Sequence, residues 1–202
     1  MKQRIVGFHQ DEFGDWVAEL SCNHQQHVRH QPPFQLRPWV ISEQGRRQQL
    51  GAELECSKCD REPDYLHENR SLVRRYYDEL WNQRQLNQVS ELLASDFRFR
   101  GWTGFVAQGH AAFRDYVEQI RTAFPDLHYQ VEWMLAEDNR VVARVNCTGT
   151  HRAKIFGIEP AGGHFSCVLF DTFTVGGHKL KSAWAIADRH ELICQLKAIS
   201  TP

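Results

Sequence analysis

The chain has 202 residues, room for one large domain or for an ordinary domain with a small appendage. Its 24 Lys and Arg against 25 Asp and Glu are interspersed, which leaves no electrostatic footprint for nucleic acid or an anionic membrane. No run approaches the ~20 apolar residues of a membrane span, and Asp11 and Glu12 interrupt the start before a signal-peptide core can form, so the expected location is cytoplasmic.

As far as about Asp60 the chain is rich in Gln, Arg and His, with apolar residues only in short runs. Ile5-Val6-Gly7-Phe8-His9 and Trp16-Val17-Ala18-Glu19-Leu20 flank a polar stretch containing Gly14, which predicts a β-hairpin. Cys22 and His24 follow at the mouth of its second strand. Pro32, Pro33 and Pro38 exclude a helix interior, so residues 30–39 should be extended or irregular. A polar turn or short helix over residues 45–51 then leads to Cys56-Ser57-Lys58-Cys59.

Thiolate and imidazole are the ligands Zn²⁺ prefers, and a C-x-x-C turn places two sulfurs on adjacent corners of a tetrahedron. Three cysteines and one histidine complete a closed structural site, and a segment this poor in apolar residues has little else to offset its chain entropy. The expected ligands of one structural Zn²⁺ are Cys22, His24, Cys56 and Cys59. His27 and His30 compete for the fourth place, with the C-x-H spacing favouring His24. The competing reading is a set of free surface thiols. Arg29, Arg37, Arg46 and Arg47 read as a solvated face, since acids balance them and no aromatic stacking pattern accompanies them. Residues 61–64 form a linker, giving a zinc module over 1–61 and a second domain over 66–198.

In the second domain Leu72, Val73, Tyr76, Tyr77, Leu80 and Trp81 recur at helical spacing. A shorter helix should carry Leu86, Val89, Leu92 and Leu93. A third should run from about His110 to a stop at Pro125, with Phe113, Tyr116, Val117, Ile120 and Phe124 as its stripe. Alternation then predicts strands: Leu127, Tyr129, Val131, Trp133 and Leu135 on one face of the first, followed by 141–151, 165–175 and 179–188, the last two joined at Gly176-Gly177. Helices followed by an antiparallel meander mean an α+β fold, a curved sheet wrapped around helices as a cone-shaped barrel. Cys147, Cys167 and Cys194 read as buried core thiols.

Two resemblances follow from these stretches. Residues 1 to about 60, through Ile5-Val6-Gly7-Phe8-His9, Cys22 to Pro33, Arg37-Pro38-Trp39-Val40 and the C-x-x-C, resemble a short bacterial domain of unknown function whose Cys and His residues look like metal ligands. Residues from about 68 to 196 resemble the SnoaL-like polyketide cyclases of the nuclear transport factor 2-like fold. The matching stretches include Asn69 to Tyr77, Trp81-Asn82, Ala123-Phe124-Pro125-Asp126-Leu127, Thr148 to Arg152 and Phe156 to Pro160. That resemblance implies a cavity between sheet and helices, a small apolar or carbonyl ligand, and no organic cofactor. In the cyclases the chemistry is a metal-free aldol closure with a carboxylate as acid/base. It also implies a homodimer formed through the outer face of the sheet, with Trp133 and Trp184 as contacts. Members commonly carry Glu-His-Trp after the last hairpin, with the cyclase carboxylate immediately following. Aligned on Trp184, this chain has Ala183 at the histidine position and Ala185 at the carboxylate position.

The remaining chemistry centres on Asp171. Phe165, Cys167, Leu169, Phe173 and Val175 share its strand face, so a carboxylate sits on an apolar surface. Desolvation there raises its pKa and suits it to proton transfer, whereas an Arg144 or Arg152 partner would make it a structural anchor. Tyr77, Trp81, Arg144, His151 and Asp188 are the candidate ligand-binding residues; His151 is expected at the cavity rim, and Asp188 is equally placed to cap the following turn. The reading is a ligand-binding cavity domain with cyclase-like or isomerase-like acid/base chemistry and an appended zinc module. The competing class is a non-enzymatic ligand-binding or protein-interaction dimer.

Overall fold

The computed structural model describes residues 1–33 and 35–198, which divide into two compact units at His67/Glu68. The first unit is built on a four-stranded sheet in the order β3-β2-β1-β4. β1 (Lys2–Gln10) and β2 (Trp16–Leu20) form an antiparallel hairpin. Asp11 Oδ1 accepts from the Phe13 and Asp15 amides, both at 2.9 Å, and Gly14 takes φ +81, so the turn is fixed by a side chain and a glycine. β3 (Gln25–His27) pairs with β2, and β4 (Glu53–Glu55) with β1. The short α1 (Glu43–Gln48) is N-capped by Ser42, whose hydroxyl accepts from the Gly45 amide at 3.0 Å. In this unit Ile5, Ala18, Leu20, Val28 and Val40 cluster with Cys22, Cys56 and Cys59, and Val17 is also buried.

The second unit is α+β. α2 (Asp64–Arg75) continues into a π-helical turn over Tyr76–Asn82, followed by a single-turn α3 (Val89–Leu92) and, later, α4 (His110–Ala123). The six-stranded sheet has the order β6-β5-β10-β9-β8-β7. Its strands are β5 (Leu93–Arg100), β6 (Val106–Gln108), β7 (His128–Glu137), β8 (Arg140–Thr150), β9 (His164–Gly176) and β10 (Lys179–Ala187). α5 (Arg189–Ala198) closes the described chain. The β7–β10 meander is antiparallel, as the alternation predicts.

Four local expectations are corrected. Leu93 opens β5 instead of ending a helix, and β5 pairs parallel with β10, so the sheet is mixed. In β7 the register shifts between Val131 and Trp133, a bulge at Glu132 that reverses the facing: Met134 turns in and Leu135 becomes exposed. The β9–β10 turn is Gly177-His178, both at positive φ, a two-residue hairpin one position later than Gly176-Gly177. Cys147 and Cys167 are buried opposite one another on β8 and β9, but Cys194 is exposed on α5.

Two polar bridges hold the C-terminal end of the first helix, one to β7 and one to α4. Asn82 exchanges both of its amide hydrogen bonds with the Tyr129 backbone at 2.9 Å. The Arg121 guanidinium donates to the carbonyls of Trp81 and Leu127, satisfying a helix end that would otherwise be buried unpaired.

Candidate functional site

In the first unit the ligating atoms of Cys22, His24, Cys56 and Cys59 all lie within 4.8 Å of one another, and all four residues are buried. Asn23 makes the C-x-H turn possible by adopting φ +64, which asparagine tolerates better than most residues, and the turn is closed by the Leu20 amide on the His24 carbonyl at 3.0 Å. Cys22 Sγ stands 3.7 Å from Cys56 Sγ, and His24 Nδ1 stands 3.4 Å from Cys56 Sγ and 3.3 Å from Cys59 Sγ. A tetrahedral ion with bonds of about 2.3 Å to sulfur and 2.0 Å to nitrogen requires edges of roughly 3.5–3.8 Å. The observed separations come within about 0.2 Å of those edges, so the cluster could hold a metal ion. On its other side His24 Nε2 lies 3.1 Å from Glu62 Oε2, which fixes the ring with Nδ1 toward the sulfurs. Burial pushes the Cys22 and Cys59 thiols above their ordinary pKa, and a bound cation is what would offset that burial. His27 is occupied instead by Asp11 at 2.8 Å, and His30 Nδ1 accepts from the Arg37 amide at 3.1 Å.

In the second unit Asp171 is 6% exposed, on the inner face of β9. Tyr77 Oη donates to its Oδ2 at 2.5 Å, while Oδ1 has no partner among the described residues. Burial outweighs that hydrogen bond and pushes the carboxyl up to about 7. Neither Arg144 nor Arg152 reaches it. Arg144 is directed away from the site, because it alternates with the inward Ala143 and Val145, and it pairs with Glu132.

Asp171 borders an internal cavity of about 20 Å³, walled by Tyr77, Trp81, Trp102, Tyr116 and Tyr129, with Ala183 and Ala185 on the sheet side. The expected open cone is thus nearly filled. The π-helical turn brings Tyr76, Tyr77, Leu80 and Trp81 to the interior together, and Trp102 Nε1 donates to Tyr129 Oη at 3.0 Å. Across the sheet, Asp171 is paired directly with Ala185 on β10 and with Ala143 on β8. Trp184, between the two inward alanines, is 53% exposed.

Two other expected ligand residues lie elsewhere. Asp188 is exposed, and its Oδ1 accepts from the Glu191 amide at 2.9 Å as the cap of α5. His151 is 1% exposed, beside Phe124 rather than on a rim, with both ring nitrogens unpartnered among the described residues. Sequence reasoning did not assign Trp102, Tyr116 or Tyr129 to the site. Tyr116 and Tyr129 already stood in apolar stripes, whereas Trp102 lies in a loop with no periodicity to reveal it.

Residues 71–196 match the family model of the SnoaL-like polyketide cyclases, and residues 6–63 match that of a protein of unknown function (DUF3565). Comparison with curated proteins gives no match. Among solved structures, a candidate SnoaL-like polyketide cyclase from Jannaschia sp. CCS1 superposes with a TM-score of 0.64 at 20% identity, covering 70% of this chain and 98% of that one. TsrD from Streptomyces laurentii gives 0.58 at 22%, covering 65% and 96%. AclR, a candidate hydroxylase from Streptomyces galilaeus, gives 0.57 at 23%, covering 68% and 85%. At such identities these likenesses establish the fold.

Proposed function

Because this chain belongs, through residues 71–196, to the SnoaL-like polyketide cyclase family, we propose that its second unit binds a small apolar or carbonyl compound at Asp171 and moves a proton with that carboxylate. The observation that carries this is the position of Asp171. It lies directly across β9–β10 from Ala185, the position at which the family resemblance expects the acid/base carboxylate. The acid is displaced by one strand and still borders the same cavity.

The chemistry available is limited and specific. Ionised Asp171 takes a proton from a carbon beside a carbonyl, through the unpartnered Oδ1, while Tyr77 holds Oδ2. The resulting enolate either closes on a second carbonyl or takes the proton back at another carbon. In the first case the new alkoxide recovers the proton from Asp171, which returns the carboxylate to its ionised starting state. A pKa of about 7 lets the group accept and return a proton near neutrality. The filled cavity and the alanines at 183 and 185 favour the second reading, a binder without turnover.

The first unit completes the proposal as a structural zinc module, with Cys22, His24, Cys56 and Cys59 as ligands. The sheet's outer face, with exposed Leu135, Phe170, Trp184 and Ile186, is the proposed homodimer surface. Trp133 packs against Phe170 there at 6.0 Å. Native mass spectrometry of the purified full chain tests all three parts: one zinc per chain, a dimer mass, and a co-purified compound that Asp171→Asn releases. A compound retained equally by Asp171→Asn would overturn the role of the carboxylate. Turnover abolished by Asp171→Asn and restored by adding Ala185→Asp would decide for the enzyme over the binder.

A further inference from the structure

A void of about 20 Å³ holds a single water, whereas a benzene-sized ligand needs on the order of 150 Å³. For Asp171 to meet any carbon compound, a wall has to move. Tyr116, on α4, is the wall with space behind it. It lines the inner cavity and also an open groove of about 600 Å³, together with Thr103, Phe105, Ile120, Ala123 and Ile155.

Tyr116 is only 2% exposed, and on its inner side the ring packs against Phe99 at 5.3 Å and Trp81 at 6.0 Å. Its hydroxyl takes its hydrogen bonds from the loop residue Thr103, from the backbone and, at a long 3.3 Å, from Oγ1. Its outer ring face stacks on Phe105, at 5.5 Å and 5° between planes, and Phe105 is itself 40% exposed. The hydroxyl is seated against Gly101, where an added Cβ would lie 2.0 Å from the oxygen. That glycine is therefore the socket for the closed ring. Rotation of Tyr116 to another staggered χ1 well would join the two voids into one slot from the surface to Asp171 Oδ1.

We infer that the inner cavity and the outer groove are two halves of one binding site, divided by the Tyr116 ring, and that its occupant is a flat, neutral hydroxyl or carbonyl compound of more than one ring. The inference rests on the ligand-binding reading of Asp171. Flatness follows from the walls, since the occupant replaces an aromatic ring among Trp81, Phe99 and Trp102. Neutrality follows from the lining: Lys154 in the groove is already paired with Glu159 at 2.5 Å, and Arg100, beside the inner cavity, sets its guanidinium over the exposed Trp184 ring at 5.2 Å. The polar end reaches Asp171 and the apolar remainder lies in the groove.

2-Naphthol is a suitable probe, because its excited state is a strong acid that emits as naphtholate when a base stands beside the hydroxyl. At pH 8, with the full chain, wild type should bind weakly and show naphtholate emission. Tyr116→Ala should bind at least about tenfold tighter with the same emission. Gly101→Ala, which denies the ring its socket and leaves α4 unaltered, should shift affinity in the same direction. Asp171→Asn should bind with neutral-naphthol emission only. Equal affinity in wild type, Tyr116→Ala and Gly101→Ala, or no binding to either variant, would overturn the divided site. Binding that tightens as expected but never shows naphtholate emission would leave the divided site standing and sink the proton-accepting role of Asp171.

Discussion

Both units bury groups that water would otherwise solvate, and they handle them in opposite ways. The first sets three thiols and an imidazole in a unit with only six buried aliphatic residues, Ile5, Val17, Ala18, Leu20, Val28 and Val40, among those described. Its four polar groups converge on one point and make no sense there singly. The second buries one carboxylate among many aromatics, gives it a single donor, Tyr77, and leaves its other oxygen open. A closed constellation belongs to a folding device. A buried polar group left half-satisfied belongs to a site awaiting something, because an unmade hydrogen bond in an apolar interior costs about 1–3 kcal/mol.

The largest effect should come from breaking the first arrangement. Metal binding to such a site contributes roughly 10–16 kcal/mol, more than a small core supplies. Chelation, or Cys56→Ser, should abolish amide-exchange protection across residues 1–60 while β8 and β9 keep theirs. Protection retained in the first unit after complete metal removal would erase the contrast.

Next comes Asp171→Asn. Asp171 binds its proton more tightly in the folded chain, with its pKa pushed up to about 7, than an exposed aspartate does, near 3.8. Stability of the second unit is therefore fullest below about pH 4, falls as pH rises, and levels off above about 7. The loss amounts to roughly 4 kcal/mol. Asparagine avoids it, so urea unfolding of the variant's second unit should show a gain approaching that size at pH 8 and shrinking at pH 5. Any turnover by wild type should follow the ionised form and rise through pH 7. A stability gain independent of pH would show that desolvation of the charge is not the cause.

Glu62→Gln should weaken metal affinity about 10- to 100-fold, by loosening the hold on His24, without changing which atoms ligate. A competition titration against a chromophoric chelator reads this directly, and an unchanged affinity would reduce Glu62 to a surface acid. The smallest effect should be Asp188→Ala, about 1 kcal/mol from the lost cap of α5, with no change in probe binding. A change in binding would return Asp188 to the site.

The Cys/His cluster was readable because its chemistry is local: Cys22 and His24 share one turn, and Cys56 and Cys59 another. Asp171 was readable because β9 keeps strict alternation from Phe165 to Val175. Its partner was not, since Tyr77 lies 94 residues away and the π-helical turn that aims it breaks the 3.6-residue period. The facing of Leu135 was misread for a related reason. Alternation carries no mark of a bulge, and one extra residue at Glu132 inverts everything after it. The filling of the cavity depends on where Trp102, Tyr116 and Tyr129 meet, which no spacing encodes.

The place of β10 in the sheet has a consequence in time. It is the last strand of the described chain, yet it sits between β5 and β9, and its parallel pairing joins Ser182 to Arg98 across 84 residues of sequence. A nascent chain can form the first helix, the β5–β6 pair and the β7–β9 meander while still emerging from the ribosome. The halves cannot be joined until residues 179–187 arrive. Such long-range pairing folds slowly and leaves the edges of β5 and β9 open in the interval. Emergence of residues 179–187 should therefore be the rate-limiting event for a protease-resistant second unit, and chaperone dependence should end with that strand.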